Sequence, residues 1–198
     1  MTSFHFSNST NFFEKTYCAV WVWLYSRHFR LFGKRNKLVY PDIIKGEQHI
    51  SLGDDVYIGR KGWLQVLGEK PERGLLIHSQ VYIGRYCHIV SLNSIEIRSK
   101  VLIADRVYIA DHARGHGDIH VAPIDAPLKP LSCVVIDEGA WLGENVCIIG
   151  ASVGKHSVIG ANSVVTSDIP DYCVAVGAPA KIVKRFSFET QRWDLESE

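Results

Sequence analysis

Three histidines stand four residues apart in one segment of the chain: His112, His116 and His120. An imidazole has an unperturbed pKa of about 6.5, so it can accept a proton from a hydroxyl group near neutral pH. On a helix this spacing would instead suggest a metal site, but Gly115 and Gly117 disfavour a helix here. The segment therefore favours a general base over a metal centre. A loop histidine with a structural hydrogen bond is the alternative for His112.

Asp111 directly precedes His112. A carboxylate beside an imidazole could orient the ring for proton transfer. Adjacent residues often point apart, however, so the sequence leaves this pairing open.

The chain that must position these residues has an aliphatic residue at nearly every sixth position. A period of six fits neither an α-helix nor a single β-strand, but it fits a short strand and a turn repeated many times. Three sixes make one coil of a triangular column, and each coil stacks on the one before it. The sequence thus predicts an all-β fold, a parallel β-helix, with these aliphatic anchors in its interior: Leu52, Ile58, Leu64, Ile77, Ile83, Ile89, Ile97, Ile103, Ile109, Ile136, Leu142, Ile148, Val153, Ile159 and Val165.

The histidine segment interrupts this repeat. Between His112 and Val134 no six-residue period exists, and the run contains three prolines. Loops of this length in compact domains are usually functional. We therefore expect a β-helix domain over residues 46–185 with a protruding loop over 112–134.

Residues 1–45 form an aromatic N-terminal segment. The run Tyr17–Phe32 is apolar and too short to span a bilayer, and it predicts a helix that ends near Gly33. Such a helix could cap the open end of the column, or it could lie on a membrane surface with its aromatic face down and a basic flank beside it. Residues 186–198 are expected to form a tail or short helix packed outside the column.

Composition narrows the class of protein. The chain has 198 residues, 46% hydrophobic content and a net charge of +1, which argues against disorder and against nucleic-acid binding through bulk charge. Five cysteines without CxxC spacing indicate reduced thiols in a cytoplasmic protein. The polar N-terminus has no signal peptide pattern. We expect a cytoplasmic location, with peripheral contact at the inner membrane as a further option.

Four runs carry a resemblance to a known family. They are Ile159–Thr166, Gly177–Lys181, Tyr108–His112 and Phe186–Trp193, all set in a repeated [Leu/Ile/Val]-Gly-x-x-small-x frame. The chain resembles the left-handed β-helix (hexapeptide-repeat) acyltransferases over roughly residues 40–193. Within them it is most similar to bacterial O-antigen and capsular polysaccharide sugar O-acetyltransferases, which are related to the maltose and galactoside acetyltransferases. The left hand of the coil is implied by this resemblance alone.

The resemblance implies a reaction and an assembly. The acyl donor would be acetyl-CoA, and the acceptor would be a sugar hydroxyl, free or lipid-linked, that attacks directly without an acyl-enzyme. His112 matches the catalytic histidine of the family. No metal is expected. The family forms homotrimers with sites between subunits, so loop 112–134 is expected to meet a second subunit.

The same match assigns further residues, each by its place in this sequence. The backbone N–H of Glu144 is the expected oxyanion donor beside His112. Asp111, His116, Trp141 and Asn93 are expected near the acceptor. His116 stands four residues after His112 rather than two, and Asn93 has no clear counterpart. The expected coenzyme A contacts are Trp141, Gly143, Ala161, Thr166, Lys181 and Lys184, with Arg185 beside them.

Three other functions stay open from the sequence. An amino-sugar N-acyltransferase could use the same base on an amine. A zinc enzyme like the carbonic anhydrases of this fold would take three histidines from neighbouring subunits. A non-catalytic β-helix scaffold would bind partners through the N-terminal aromatic segment.

Overall fold

The computed structural model describes residues 12–68 and 74–196. Within them, one α-helix precedes a long series of short strands. In chain order these are α1 (Phe12–Tyr25), β1 (Leu31–Phe32), β2 (Lys37–Leu38), β3 (Ile43–Lys45), β4 (Ile50–Leu52), β5 (Tyr57–Ile58), β6 (Trp63–Val66), β7 (Gly74–Ile77), β8 (Tyr82–Ile83), β9 (His88–Ser91), β10 (Ser94–Ile97), β11 (Leu102–Ile103), β12 (Tyr108–Ala110), β13 (His112–Arg114), β14 (Leu128–Pro130), β15 (Val134–Ile136), β16 (Trp141–Leu142), β17 (Cys147–Ile149), β18 (Val158–Ile159), β19 (Val164–Val165), β20 (Cys173–Gly177), β21 (Ala180–Ser187) and β22 (Arg192–Leu195). Two 3₁₀ turns, Ser26–His28 and Glu47–His49, complete the elements.

The strands form three sheets that make the three faces of a column. Sheet A has the order β1-β4-β7-β10-β15, sheet B begins β2-β5-β8-β11-β16-β18-β20, and sheet C runs β3-β6-β9-β12-β17-β19. From β1 to β12 each successive set of three strands visits A, B and C once and forms one coil, and β15, β16 and β17 form the fifth. The next coil pairs with sheet A through the isolated bridge between Ile136 and Val153. The coils pair in parallel, and the fold is a left-handed parallel β-helix. The predicted fold class is confirmed.

The hexad anchors fill the interior of the column. All fifteen predicted anchors are buried. Parallel pairing keeps them in register, so that Leu52 pairs with Ile77, Ile77 with Ile97 and Ile97 with Ile136. Each coil alone would leave its aliphatic side chains exposed, and stacking removes them from water at about 1.5–3 kcal/mol per residue.

Sharp corners join the faces. Many corner residues adopt left-handed backbone, among them Arg106, Asn145 and Asn162 with φ of 58°, 58° and 61°. Successive coils also approach closely there. A Cβ at Gly143 would lie 2.7 Å from the backbone nitrogen of Ala161, so only glycine fits without a shift.

The N-terminal boundary differs from the prediction. The helix α1 ends at Tyr25 rather than near Gly33, and a first coil begins at Leu31, before the predicted start of the repeat at residue 46. Phe32, Leu38 and Ile44 are themselves six apart and supply one residue to each face. The sequence therefore contained the signal for this coil.

The C-terminal end also differs from the expected tail or helix. The strands β20, β21 and β22 pair antiparallel and extend sheet B beyond the last coil. Phe186 lies opposite Trp193 in this hairpin, with their rings 5.5 Å apart. The repeat is also interrupted by a polar segment between Gly68 and Gly74, most of which lies outside the described residues. No helix among the described residues combines the length and the apolar character that a bilayer crossing requires.

Candidate active site

The histidine segment leaves the column at one corner. The chain departs after β12 in sheet C and returns as β15 in sheet A, so we call this position the C–A corner of the fourth coil. The strands β13 and β14 pair antiparallel, with His112 opposite Pro130. The Leu131 N–H donates to the Asp111 carbonyl at 2.8 Å, which ties the base of this arm to the column. The observed arm corresponds to the predicted loop over residues 112–134.

Asp111 is a buried carboxylate at this corner. Its side chain is fully buried, and both of its oxygens accept hydrogen bonds from the coil below. The Leu92 N–H donates to Oδ1 at 2.7 Å and the Asn93 N–H donates to Oδ2 at 2.8 Å. The Ser91 hydroxyl lies 3.0 Å from Oδ2. A buried charge needs such partners, and these donors fix the orientation of the carboxylate.

The imidazole of His112 lies against this carboxylate. Its Nδ1 is 3.3 Å from Asp111 Oδ1, and only 10% of its side chain is exposed. With Nδ1 towards Asp111, Nε2 is the ring nitrogen that can accept a proton from a substrate. The structure thus pairs the two adjacent residues whose relative orientation the sequence left open.

The other two histidines of the segment lie away from this pair. His116 is exposed, with Nδ1 3.2 Å from the Arg114 carbonyl oxygen, and His120 is exposed near the tip of the arm. Across residues 12–68 and 74–196, no three His, Cys, Asp or Glu side chains group as metal ligands. Asn93 does belong to the corner, and its side-chain Nδ2 lies 3.1 Å from Cys133 Sγ.

Sequence reasoning missed an aromatic ladder beside His112. On the outer face of sheet C, the His88 ring stacks on Trp63 at 4.1 Å and meets the edge of Tyr108 at 5.3 Å. Burial lowers the pKa of His88, and the neighbouring His112 lowers it further. Each ladder residue directly precedes a hexad anchor, so the outward positions of the repeat were the available signal.

Trp141 stands on another face. It is on the outer side of sheet B, and about half of its side chain is exposed. The strand register places Val158, Val174 and Lys184 in the same outward column, and Lys181 lies opposite Val176 beside it. Three strand spacings separate Trp141 from Lys184, which is about 14 Å. A groove of about 640 Å³ lies next to Trp141 and includes Tyr82, Leu102 and Glu144.

Gly143, Glu144 and Ala161 lie at the corner that follows sheet B, which we call the B–C corner. The Gly143 N–H donates to the Ile159 carbonyl at 2.8 Å, and the Asn162 N–H donates to the Glu144 carbonyl at 2.8 Å. The Glu144 carboxylate pairs with Arg106. Gly143 and Ala161 are therefore neighbours on successive coils, as the close approach at Gly143 also requires.

One chain does not bring all the predicted residues together. Asp111, His112 and Asn93 lie at the C–A corner, whereas Trp141, Gly143, Glu144, Ala161, Lys181 and Lys184 lie on sheet B or at the B–C corner. Thr166, predicted with the second group, follows β19 in sheet C and thus belongs to the C–A corner.

Known proteins support this architecture. No family model matches the chain. A protein of Escherichia coli K12 named as a candidate lipopolysaccharide biosynthesis O-acetyl transferase, WbbJ, is 36% identical over 176 residues, which cover 83% of this chain and 87% of WbbJ. The structure of AntD, an N-acyltransferase from Bacillus cereus in complex with dTDP and 3-hydroxybutyryl-CoA, superposes with a TM-score of 0.71 at 19% identity, covering 84% of this chain and 88% of AntD.

A second solved structure gives the same fold. The hexapeptide-repeat containing acetyltransferase VCA0836 of Vibrio cholerae has a TM-score of 0.55 at 23% identity, covering 91% of this chain and 84% of VCA0836. These two structures establish the fold, and the identity with WbbJ over most of both chains establishes the family. The chain belongs to the hexapeptide-repeat acetyltransferases and is an acyltransferase.

Proposed function

We propose that this enzyme transfers an acetyl group from acetyl-CoA to a sugar hydroxyl of a bacterial surface polysaccharide or its precursor. The observation that carries the proposal is the pair of Asp111 and His112, a nearly buried imidazole held by a fixed carboxylate at the base of a protruding arm. The identity with WbbJ supports a polysaccharide acceptor. Free thiols at all five cysteines agree with a cytoplasmic location, which is part of the proposal.

The reaction is a direct acyl transfer. The acceptor hydroxyl gives its proton to His112 Nε2 while its oxygen forms a bond to the thioester carbonyl carbon. The carbonyl oxygen becomes an oxyanion, which the Glu144 backbone N–H stabilises. The carbon–sulfur bond then breaks, and the departing thiolate takes the proton from His112. Asp111 keeps the imidazole in place and stabilises its charged form.

The outer face of sheet B is the proposed coenzyme A surface. Trp141, Gly143 and Ala161 line the path of the pantetheine arm, and Lys181 and Lys184 meet the phosphates. Arg185 already pairs with Glu196 at 2.8 Å, so it is less available. On the acceptor side, His116 and Asn93 are proposed contacts at or near the C–A corner, and Thr166 stays a proposed coenzyme A contact.

The division of these residues between two corners supports a homotrimer. A single chain holds His112 and Trp141 on different faces, so we propose that His112 of one chain works with Trp141 and Glu144 of the next. The arm over 112–134 would then reach the neighbouring column. Its tip exposes Ile119 and Ile124, whose side chains a neighbour could cover.

Complementation between inactive chains tests the shared site. Chains with His112→Ala and chains with Trp141→Ala are each expected to have low activity. When they are co-expressed and assemble at random, about one quarter of the sites should combine an intact His112 with an intact Trp141. Mixing the purified, already assembled variants is the control and should restore nothing. Co-expressed variants without recovered activity would place both residues in one chain.

The nature of the product tests the acceptor group. An O-acetyl ester formed from acetyl-CoA is hydrolysed in mild alkali, whereas the amide of an amino sugar survives. We expect an alkali-labile product whose formation requires His112. A stable product would assign the enzyme to amino-sugar N-acylation instead.

A further inference from the structure

The helix α1 has an apolar face that nothing in the described chain covers. Val20, Trp23 and Leu24 lie on one side of the helix, three and four residues apart. The exposed fractions of Trp23 and Val20 are 76% and 50%. The part of α1 from Tyr17 to Tyr25 has no charged residue, and a helical stretch that is apolar all round needs a partner on every side.

The opposite face of α1 already has its partner. Tyr17 stacks on Tyr40 at 4.2 Å, Trp21 meets Phe29 edge-on at 6.4 Å, and the Cys18 thiol donates to the Leu38 carbonyl at 3.4 Å. This face caps the first coil of the column. The outward apolar face is therefore not needed to close the fold.

Basic residues follow the exposed face directly. Between Thr16 and Pro41 the chain carries five cations and no carboxylate: Arg27, Arg30, Lys34, Arg35 and Lys37. They line a groove of about 810 Å³ whose apolar wall includes Val22, Phe29 and Phe32. The carboxylates of the first two coils are Asp42, Glu47, Asp54 and Asp55. Asp42 pairs with Lys61, and Asp55 pairs with Arg35. Positive charge thus remains in excess beside the apolar face.

We propose that this N-terminal surface, made of Val20, Trp23 and Leu24 with Arg27 and Lys34, docks on a bilayer of anionic phospholipid. Tryptophan and leucine enter the interfacial layer, and the cations meet lipid phosphates. A second copy of the chain is a less favourable partner. A two-fold contact through this surface would bring the basic residues of both copies together, and their like charges would repel.

Docking would hold the acetylation site at a short height above the lipid. His112 lies on the fourth coil, three strand spacings or about 14 Å from the first coil. The proposed trimer would present three such surfaces at the same end of the assembly, which raises the total affinity. The statement that an acetylation site is held near the lipid rests on the proposed function, whereas the docking itself does not.

Vesicle flotation of the full-length protein tests the inference. The protein should float with vesicles that mix phosphatidylglycerol and phosphatidylcholine, and high salt should weaken this binding. The double variant of Arg27→Gln and Lys34→Gln removes both cations and should lower the partition coefficient about 30-fold. The double variant of Trp23→Ser and Leu24→Ser removes the apolar pair and should lower the partition coefficient by at least about 30-fold.

Matched variants away from α1 serve as controls. The double variant of Lys100→Gln, on the fourth coil, and Arg192→Gln, in the C-terminal hairpin, removes two exposed cations. The double variant of Phe188→Ser and Leu195→Ser removes two exposed apolar side chains. Both controls should float like the wild type, and circular dichroism should show every variant folded. The inference would be overturned if the control variants lost as much vesicle binding as the N-terminal variants. It would also be overturned if the wild type bound only pure phosphatidylcholine vesicles, or no vesicles at all.

Light scattering distinguishes a bilayer from a second copy of the chain as the partner of this surface. If Trp23→Ser with Leu24→Ser reduces the molar mass in solution and vesicles do not bind the wild type, the surface is a contact between copies and the proposal fails. Acetyl transfer to a water-soluble acceptor should be unchanged in the two N-terminal double variants. A wild-type protein that transfers acetyl but does not bind vesicles would overturn the docking proposal alone. A wild-type protein that binds vesicles but does not transfer acetyl would overturn the proposed enzyme function alone.

Discussion

The interior of the column is lined by aliphatic side chains, whereas its C–A corner on the fourth coil contains a buried carboxylate. Inside, Ile97, Ile103 and Ile109 are fully buried among aliphatic side chains. One residue beyond the end of β12, Asp111 is equally buried but is a carboxylate, held by two backbone N–H donors. The same coil thus supplies both the regular core and a buried charged group.

This difference in side chains assigns the stability of the fold to the interior and the proposed chemistry to the corner. The aliphatic positions lower the free energy of the folded state through their removal from water. The corner is costly to bury unless its hydrogen bonds are complete, and its value lies in a fixed carboxylate that positions His112. Mutations in the two regions should therefore affect different measurements.

The largest expected effect is on catalysis. His112→Ala should lower kcat by about 10²- to 10⁴-fold, since the proposed general base is lost, with little change in the melting temperature. Acetyl-CoA turnover, followed by thiol release, measures the rate. His120→Ala, in the exposed tip of the same arm, should stay near wild-type activity.

Ile109→Ala in the same coil is the matched contrast. It should lower the free energy of unfolding by about 2–5 kcal/mol because it leaves a cavity, while the folded fraction keeps most of its turnover. If His112→Ala destabilised the protein as much as Ile109→Ala does, the separation between the two regions would be wrong.

Asp111→Asn should affect both measurements, each to a smaller extent. An amide has one accepting oxygen, so its NH₂ group would face the N–H of Leu92 or of Asn93. We expect a loss of about 1.5–3 kcal/mol in stability. We also expect kcat to fall about tenfold, for a loss of orientation worth about 1.4 kcal/mol. Steady-state kinetics should show the loss in kcat and not in the KM for acetyl-CoA; a change in KM alone would contradict a positioning role.

The smallest expected effect concerns pH and His88. Its pKa is lowered in the folded protein, first by burial and then by His112, so the unfolded chain binds the proton more readily. Stability should therefore fall as pH drops below about 6.5, the value of an unperturbed histidine. In His88→Gln this part of the loss disappears, and melting curves at about pH 7.5 and pH 5.5 should lie closer together than in the wild type. His120→Gln should retain the wild-type difference.

The period of six was sufficient to predict most of the column. It identified every interior anchor from Leu52 to Val165 and the arm that interrupts them. It did not reach the first coil, although Phe32, Leu38 and Ile44 keep the period, because the aromatic run before them favoured a longer helix. The C-terminal hairpin has no such period, since antiparallel pairing of β20, β21 and β22 replaces stacking.

The candidate site was only partly predictable. The residue types of Asp111 and His112 indicated their chemistry, but their pairing depends on backbone donors from another coil, Leu92 and Asn93. No local pattern reports such contacts across about twenty residues of chain. The distribution of His112 and Trp141 over two faces likewise follows from the count of strands per coil and not from their spacing in sequence.

The arm leaves and re-enters the column without disturbing the coil, because β12 and β15 each keep their place in the stack. Lengthening a surface connection costs little free energy, since the entropy of loop closure grows only with the logarithm of its length. The 115–127 tip can therefore change in length or sequence at little cost to the stability of the column, while the proposed general base, His112, keeps its place at the root of the arm.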